Sequence, residues 1–380
     1  MTRFPRIVRV RQHFASPRIE DIPGEVDRQL ARLGLNRTIR PGESVAITAG
    51  SRGIANIAVI LRAAVDHLKG IGAAPFIVPA MGSHGGGTVE GQVGILRDYQ
   101  ITEANMGCPI RATMETVEVC RAGEGFPVHF DRFAFEANHV LVCGRVKPHT
   151  RFTGAVESGL MKMLLIGLGK HAGATVYHQA IMNHSFGQIV RSVAREVLQR
   201  CRIVAGLAIV ENAYDETALL EAVLPAEFEI RESELLMKAR EWMPRLPFPA
   251  ADVLVIDEIG KNISGAGMDT NVVGRKYYDH QARDDEEPKI ANILVRGLTE
   301  ATHGNACGIG FAEFCRSRVI AQMDRDITRI NCLTGGHASA AMIPIDFPTD
   351  REMLAAALGQ IGLTPPEQAR LMWIRHTLAV

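Results

Sequence analysis

The chain has 380 residues, 47% hydrophobic and 22% charged, with 42 Lys and Arg against 42 Asp and Glu. That composition is globular, and the length exceeds the ~250 residues at which a single core usually divides, so two domains are expected and a disordered or disulfide-stapled chain is excluded. A formal net charge of +0 with no long Lys/Arg run argues against a nucleic-acid partner, which needs an electrostatic footprint, and favours a small molecule.

Short apolar runs alternate with helix-length amphipathic segments. Ser44 to Thr48 reads as a strand, Ile54 to Lys69 as a helix and Pro75 to Pro79 as a second strand. A helix from Thr88, a strand at His139 to Cys143, helices at Ala174 to Met182 and Phe186 to Arg200, and a strand at Ile203 to Val210 continue the βαβ rhythm of a parallel sheet. Three prolines within Met243 to Pro249 break it and suggest a linker. A second α/β unit opens at Asp252 to Ile256, with helices expected at Ile290 to Thr302, Arg351 to Ile361 and Pro366 to His376. The expectation is two α/β domains with mostly parallel sheets, 1–245 and 250–380, and an active site in the cleft between them.

Cys108, Cys120, Cys143, Cys201, Cys307, Cys315 and Cys332 are odd in number and form no C-x-x-C pair, which reads as a reduced, cytoplasmic protein. The basic N-terminus lacks the apolar centre of a secretory signal. No stretch reaches the ~20 apolar residues of a membrane span, so no membrane partner is expected.

Ligands of open α/β sheets gather at the carboxyl ends of strands, so three loops stand out: Thr48 to Gly53, Pro79 to Gly87 and Arg145 to Arg151. Their imidazoles, His84 among glycines and His149 behind Pro148, suit paired acid/base work near neutral pH, or equally well are loop histidines satisfied by backbone groups. Arg52 suits a carboxylate clamp, although a surface ion pair is the commoner fate of an arginine. Lys162, in an apolar run, suits covalent chemistry or simply snorkels to water. His171 and His178, seven apart, do not have the i, i+4 spacing usual for zinc on a helix. Neither a P-loop nor a G-x-S-x-G elbow is present.

The motifs Gly82-Ser-His84, Lys147-Pro-His149 and Ser158-Gly-Leu-Met-Lys162, followed by His178 and by the Asp252 to Asp257 opening of the second domain, resemble the lactate racemase family of nickel-pincer-nucleotide enzymes. The resemblance implies that His84 and His149 are the acid/base pair. It also implies that Lys162, beside Ser158 and Gly159, carries the nucleotide covalently, and that His178, sixteen residues on, ligates the nickel. The implied activity inverts C2 of a 2-hydroxy acid by hydride transfer to and from that cofactor, which dedicated biosynthetic enzymes must supply. Arg52 would hold the substrate carboxylate.

The chain departs from the family pattern around the substrate. Leu160 replaces a second glycine, Ser51 and Gly50 replace an acidic context before Arg52, and the second-domain loop reads Gly260-Lys-Asn-Ile-Ser-Gly-Ala-Gly267. These changes imply a 2-hydroxy acid other than lactate, with Lys261 either a second positive contact or a solvated loop lysine. Lys170 with His184 is a rival register for the cofactor pair. Two other readings stay open: a metal-dependent hydrolase or lyase without the pincer, and a non-catalytic carboxylate- or nucleotide-binding protein.

Overall fold

The computed structural model describes residues 4–51 and 53–380. Its strands are β1 (Ser44–Ala49), β2 (Ala74–Pro79), the hairpin β3 (Thr116–Arg121) and β4 (Pro127–Asp131), β5 (His139–Arg145), β6 (Ile203–Glu211) and β7 (Thr217–Val223). The main sheet has the order β2-β1-β5-β6-β7, parallel except for β7, which returns antiparallel to β6. Because side chains alternate along a strand, each strand feeds two cores. Val45, Ile47 and Leu141 pack with Val26, Leu30, Ile60 and Leu61 from the helices Ile22–Arg32 and Ile57–Gly70. Ala46, Val140, Val142 and Val210 pack on the other face against Leu164, Ile189, Val193, Phe228 and Leu235. Helices therefore cover both faces, which accounts for strands that are apolar throughout.

The expected helix from Thr88 is Val89–Asp98, with the Thr88 hydroxyl accepting the Gly91 N–H at 3.1 Å. Ser185 caps Phe186–Arg200 in the same way through Gln188 N–H at 3.2 Å. The helix expected at Ala174 to Met182 begins earlier, as Lys170–Ala180, directly after a π-helical turn at Met163–Gly167.

A second sheet, built from β8 (Ala250–Ile256), β9 (Lys289–Val295), β10 (Phe314–Arg316), β11 (Ile345–Phe347) and β12 (Leu371–Ile374), runs β11-β10-β9-β8-β12 and is wholly parallel. Two expected helices are corrected here. Ile290 to Thr302 opens with strand β9, because Ile290, Ile293 and Leu294 satisfy helical spacing as well as they fill a strand buried on both faces, and backbone pairing to β8 and β10 decides between them. Pro366 to His376 holds only a short turn at Pro366–Gln368. Leu371–Ile374 then pairs with Val253–Ile256, and the edge of the sheet outweighs the proline start signal. The third expected helix, near Arg351 to Ile361, is Asp350–Leu358, capped by Thr349.

The chain divides into two compact units, Ala15–Met243 and the segment through Phe14 together with Pro244–Val380. The opening segment groups with the second unit because Gln12 Nε2 donates to Arg245 O at 3.1 Å and the Arg351 guanidinium stands 5.6 Å from the Phe4 ring centre. Among the described residues no helix is long and apolar enough to cross a membrane.

Candidate functional site

In the first unit, the loops that leave β2, β1 and β5 emerge side by side at the carboxyl end of the sheet. The Ser51 hydroxyl meets Nδ1 of His84 in a short hydrogen bond, so two of the three loops meet at an imidazole. Arg52 lies outside the described residues. Its neighbours are tied down: the Tyr99 hydroxyl donates to Ser51 O at 3.0 Å, and Arg145, itself paired with Glu211, donates to Gly53 O at 2.9 Å. Gly82, at the head of the His84 loop, serves close packing on the chain itself. Gly82 has φ +59°, and a β-carbon there would stand 2.9 Å from Cγ2 of Ile166, inside the π-helical turn.

The third loop turns back sharply at His149, whose Nδ1 accepts the backbone N–H groups of Arg151 and Phe152, both at 3.0 Å. With Nδ1 occupied as an acceptor, the neutral ring carries its proton on Nε2. The His149 ring stacks on Phe152 with centres 4.3 Å apart, and Phe152 stacks on Phe186 at 4.0 Å. Lys162 and His178 stand around the same Phe152 ring, the ammonium 6.0 Å and the imidazole centre 6.3 Å from its centroid. Burial, and then the charges of Lys162 and Arg151, hold the His178 pKa below the usual histidine range. His178 is thus a neutral imidazole at pH 7, the form that ligates a metal. Among the described residues no cluster of three or more His, Cys, Asp or Glu is gathered as a metal site, so this arrangement offers a metal one imidazole beside an amine.

The helix Phe228–Trp242 fixes both partners of that ring from below. Its Arg240 pairs at 2.7 Å with the buried Glu157, whose other oxygen accepts the His149 N–H at 2.8 Å. Its Glu232 accepts the Met161 N–H at 2.8 Å, at the start of the short helix Leu160–Lys162. Ser158 O accepts the Lys147 N–H at 3.0 Å, and Gly159 is required because any β-carbon would lie 2.5 Å from the Glu232 carboxyl carbon. Ser158 and Gly159 therefore carry the two segments that present His149 and Lys162.

Glu232 is fully buried and its Oε1 has no hydrogen-bond partner. Burial pushes its carboxyl up to about 7 from an ordinary 4.5, against the pull of the Met161 and Leu160 N–H groups. The folded carboxyl keeps its proton to higher pH than the unfolded one. Its contribution to stability is present in full below the unfolded value and is lost as pH rises through the folded one. Glu232→Gln is expected to remove this decline, stabilising the protein relative to the parent by roughly 2–3 kcal/mol at pH 8 and by little at pH 4.5. Urea unfolding at both pH values measures it, and an unchanged pH slope in the variant would refute it.

Lys170 lies elsewhere. It is 0% exposed, 3.0 Å from Asp131 Oδ2, and donates to Pro79 O at 2.6 Å. His184, its rival-register partner, is half-buried beyond the end of the Lys170–Ala180 helix, and His171 on that helix is exposed. Lys261 belongs to the second unit, where its ammonium donates to Gly265 O at 2.5 Å and Asn331 Oδ1 at 2.7 Å. Sequence reading missed Ser51 as the partner of His84, the ring of Phe152, and the buried carboxylates Glu157 and Glu232. Phe152 stands inside a loop already singled out. Glu232 leaves no signal, because its meaning depends on a backbone that is remote in sequence.

Residues 15–188 match the lactate racemase N-terminal domain. No curated protein matches the chain. Among solved structures, the lactate racemase apoprotein of Thermoanaerobacterium thermosaccharolyticum superposes with a TM-score of 0.60 at 12% identity, covering 96% of this chain and 93% of that one. A protein of Thermotoga maritima superposes with a TM-score of 0.57 at 11% identity, covering 96% and 97%. At these identities the superpositions speak for the fold, which is that of lactate racemase, while the domain match speaks for descent. Domain match and fold together support an isomerase of the racemase or epimerase type acting on a small molecule, and residues 15–188 of this chain are similar to the N-terminal domain of lactate racemase.

Proposed function

We propose that this protein is a cytoplasmic racemase or epimerase that inverts C2 of a 2-hydroxy acid, with a nickel-pincer nucleotide attached to Lys162 and its nickel held by His178. The observation that carries the reading is the convergence of Lys162 and His178, sixteen residues apart in sequence, on one Phe152 ring that also stacks on His149. The residues suit such a group: an amine for attachment, and a partly buried imidazole kept neutral as a metal donor. Bound there, the group would supply the acceptor and donor of hydride at C2.

The chain's own residues do the rest. His149 offers Nε2–H to the 2-oxygen of the substrate in its neutral form. To take the hydroxyl proton at Nε2 its ring must carry its own proton on Nδ1, giving up the Arg151 and Phe152 N–H groups that Nδ1 accepts. His84 is the second acid/base, and the Ser51 hydroxyl, which can donate to or accept from Nδ1, lets its ring adopt either tautomer. In each direction one imidazole takes the hydroxyl proton and the other returns one. Arg52 binds the carboxylate by two parallel hydrogen bonds.

The test is expression with a nickel-pincer biosynthesis system, whose enzymes are the partners this reading requires. Peptide mass spectrometry should find a nucleotide adduct on Lys162 and none on Lys170, and chiral chromatography should find interconversion of a 2-hydroxy acid. Unmodified Lys162 beside a fully loaded control racemase from the same cells overturns the reading.

A further inference from the structure

One buried polar network is used neither for attachment nor for proton transfer. Lys170, Asp131 and Gln92 are at most 1% exposed, and they come from the start of the Lys170–Ala180 helix, the end of β4 and the Val89–Asp98 helix. Burying an ammonium is costly, and this one is surrounded by three oxygens: it is ion-paired with Asp131 Oδ2 at 3.0 Å and donates to Pro79 O at 2.6 Å and Gln92 Oε1 at 3.3 Å. Lys170 also adopts φ +55°, a left-handed conformation that a residue with a β-carbon occupies only at a cost. The surrounding structure keeps both features, and the third ligand of the ammonium leads to the site.

Gln92 turns its carbonyl to the Lys170 ammonium and its amide nitrogen to two backbone carbonyls, Gly82 O at 3.0 Å and His84 O at 3.3 Å. The ammonium fixes that orientation, since a flipped amide would set NH2 against NH3+ and an oxygen against two carbonyl oxygens. Gly82 and His84 bracket the turn that aims the imidazole at Ser51. We propose that Gln92, locked in one orientation by the Lys170–Asp131 pair, is a positioning residue for His84. The inference rests on the reading of His84 as an acid/base imidazole, and it assigns Lys170 a role that excludes cofactor attachment.

The test uses the full chain labelled with 15N-histidine, with the His84 ring signals identified by their loss in His84→Gln. In Gln92→Met, which keeps the Lys170–Asp131 pair, the His84 ring nitrogens should shift or broaden while those of His149 and His178 stay in place. In the cofactor-loaded enzyme kcat should fall about tenfold or more with KM changed less than about threefold, because misplacing a group lowers turnover before it weakens binding. The double variant Lys170→Met with Asp131→Asn, which leaves no buried charge unpaired, should reproduce the His84 shift and serves if Gln92→Met does not fold. Parental His84 signals in a folded variant overturn the proposal. The ring signals need no substrate, so they decide it even if the loaded parent shows no turnover and the racemase reading itself falls.

Discussion

Lys162→Ala, expressed with the pincer-biosynthesis system, is expected to bring turnover down to background and to carry no nucleotide adduct. On the proposed reading the hydride chemistry belongs to the group that Lys162 carries, so no other side chain can stand in for it. Lys162→Arg should behave identically, since a guanidinium keeps the charge over Phe152 but offers no amine for attachment. Lys162 is half-buried and ends a three-residue helix, so either variant should unfold within about 1 kcal/mol of the parent. The paired measurements are intact-mass analysis and chiral turnover. Full activity in a folded Lys162→Ala protein would refute the covalent assignment and leave His84 and His149 to other chemistry.

His149→Ala and His84→Ala are each expected to lower kcat by about 10²–10⁴-fold, the usual range for losing a general acid or base. Either loss should be felt in both directions, because the imidazole that takes the proton in one direction must return it in the other. Thermodynamics makes the statement sharper. The ratio of kcat/KM in the two directions equals the equilibrium constant, which is one for a pair of enantiomers and which no mutation changes. Both directions must therefore fall by the same factor, and unequal losses would mean that the two assays do not follow one equilibrium. His149→Ala also removes the ring stacked on Phe152 and the acceptor for two backbone N–H groups, so its KM is expected to rise. His84→Ala leaves the Phe152 stack intact and should act mainly on kcat. Progress curves from both enantiomers, with unfolding as a control, separate the two cases.

The legible parts of this protein were those whose cause is local. β1, β2, β5 and β6 could be read as strands because a parallel sheet covered on both faces asks for continuous apolar runs, and their carboxyl ends marked the loops that hold His84 and His149. Thr88 and Ser185 could be read as caps because a cap is a contact across three residues. Where a cause is remote, reading failed. Ile290, Ile293 and Leu294 suit a helix or a strand equally, and only neighbouring backbones supply the hydrogen bonds that choose. Lys162 and Lys170 both follow apolar residues eight positions apart, and no local pattern separates an amine beside Phe152 and His178 from one enclosed by Asp131, Pro79 and Gln92. The sequence by itself determined the α/β class, the loops and the types of chemical group available. Tertiary structure decided which groups meet, because burial, charge pairing and ring stacking act between residues that are neighbours only after the chain has folded.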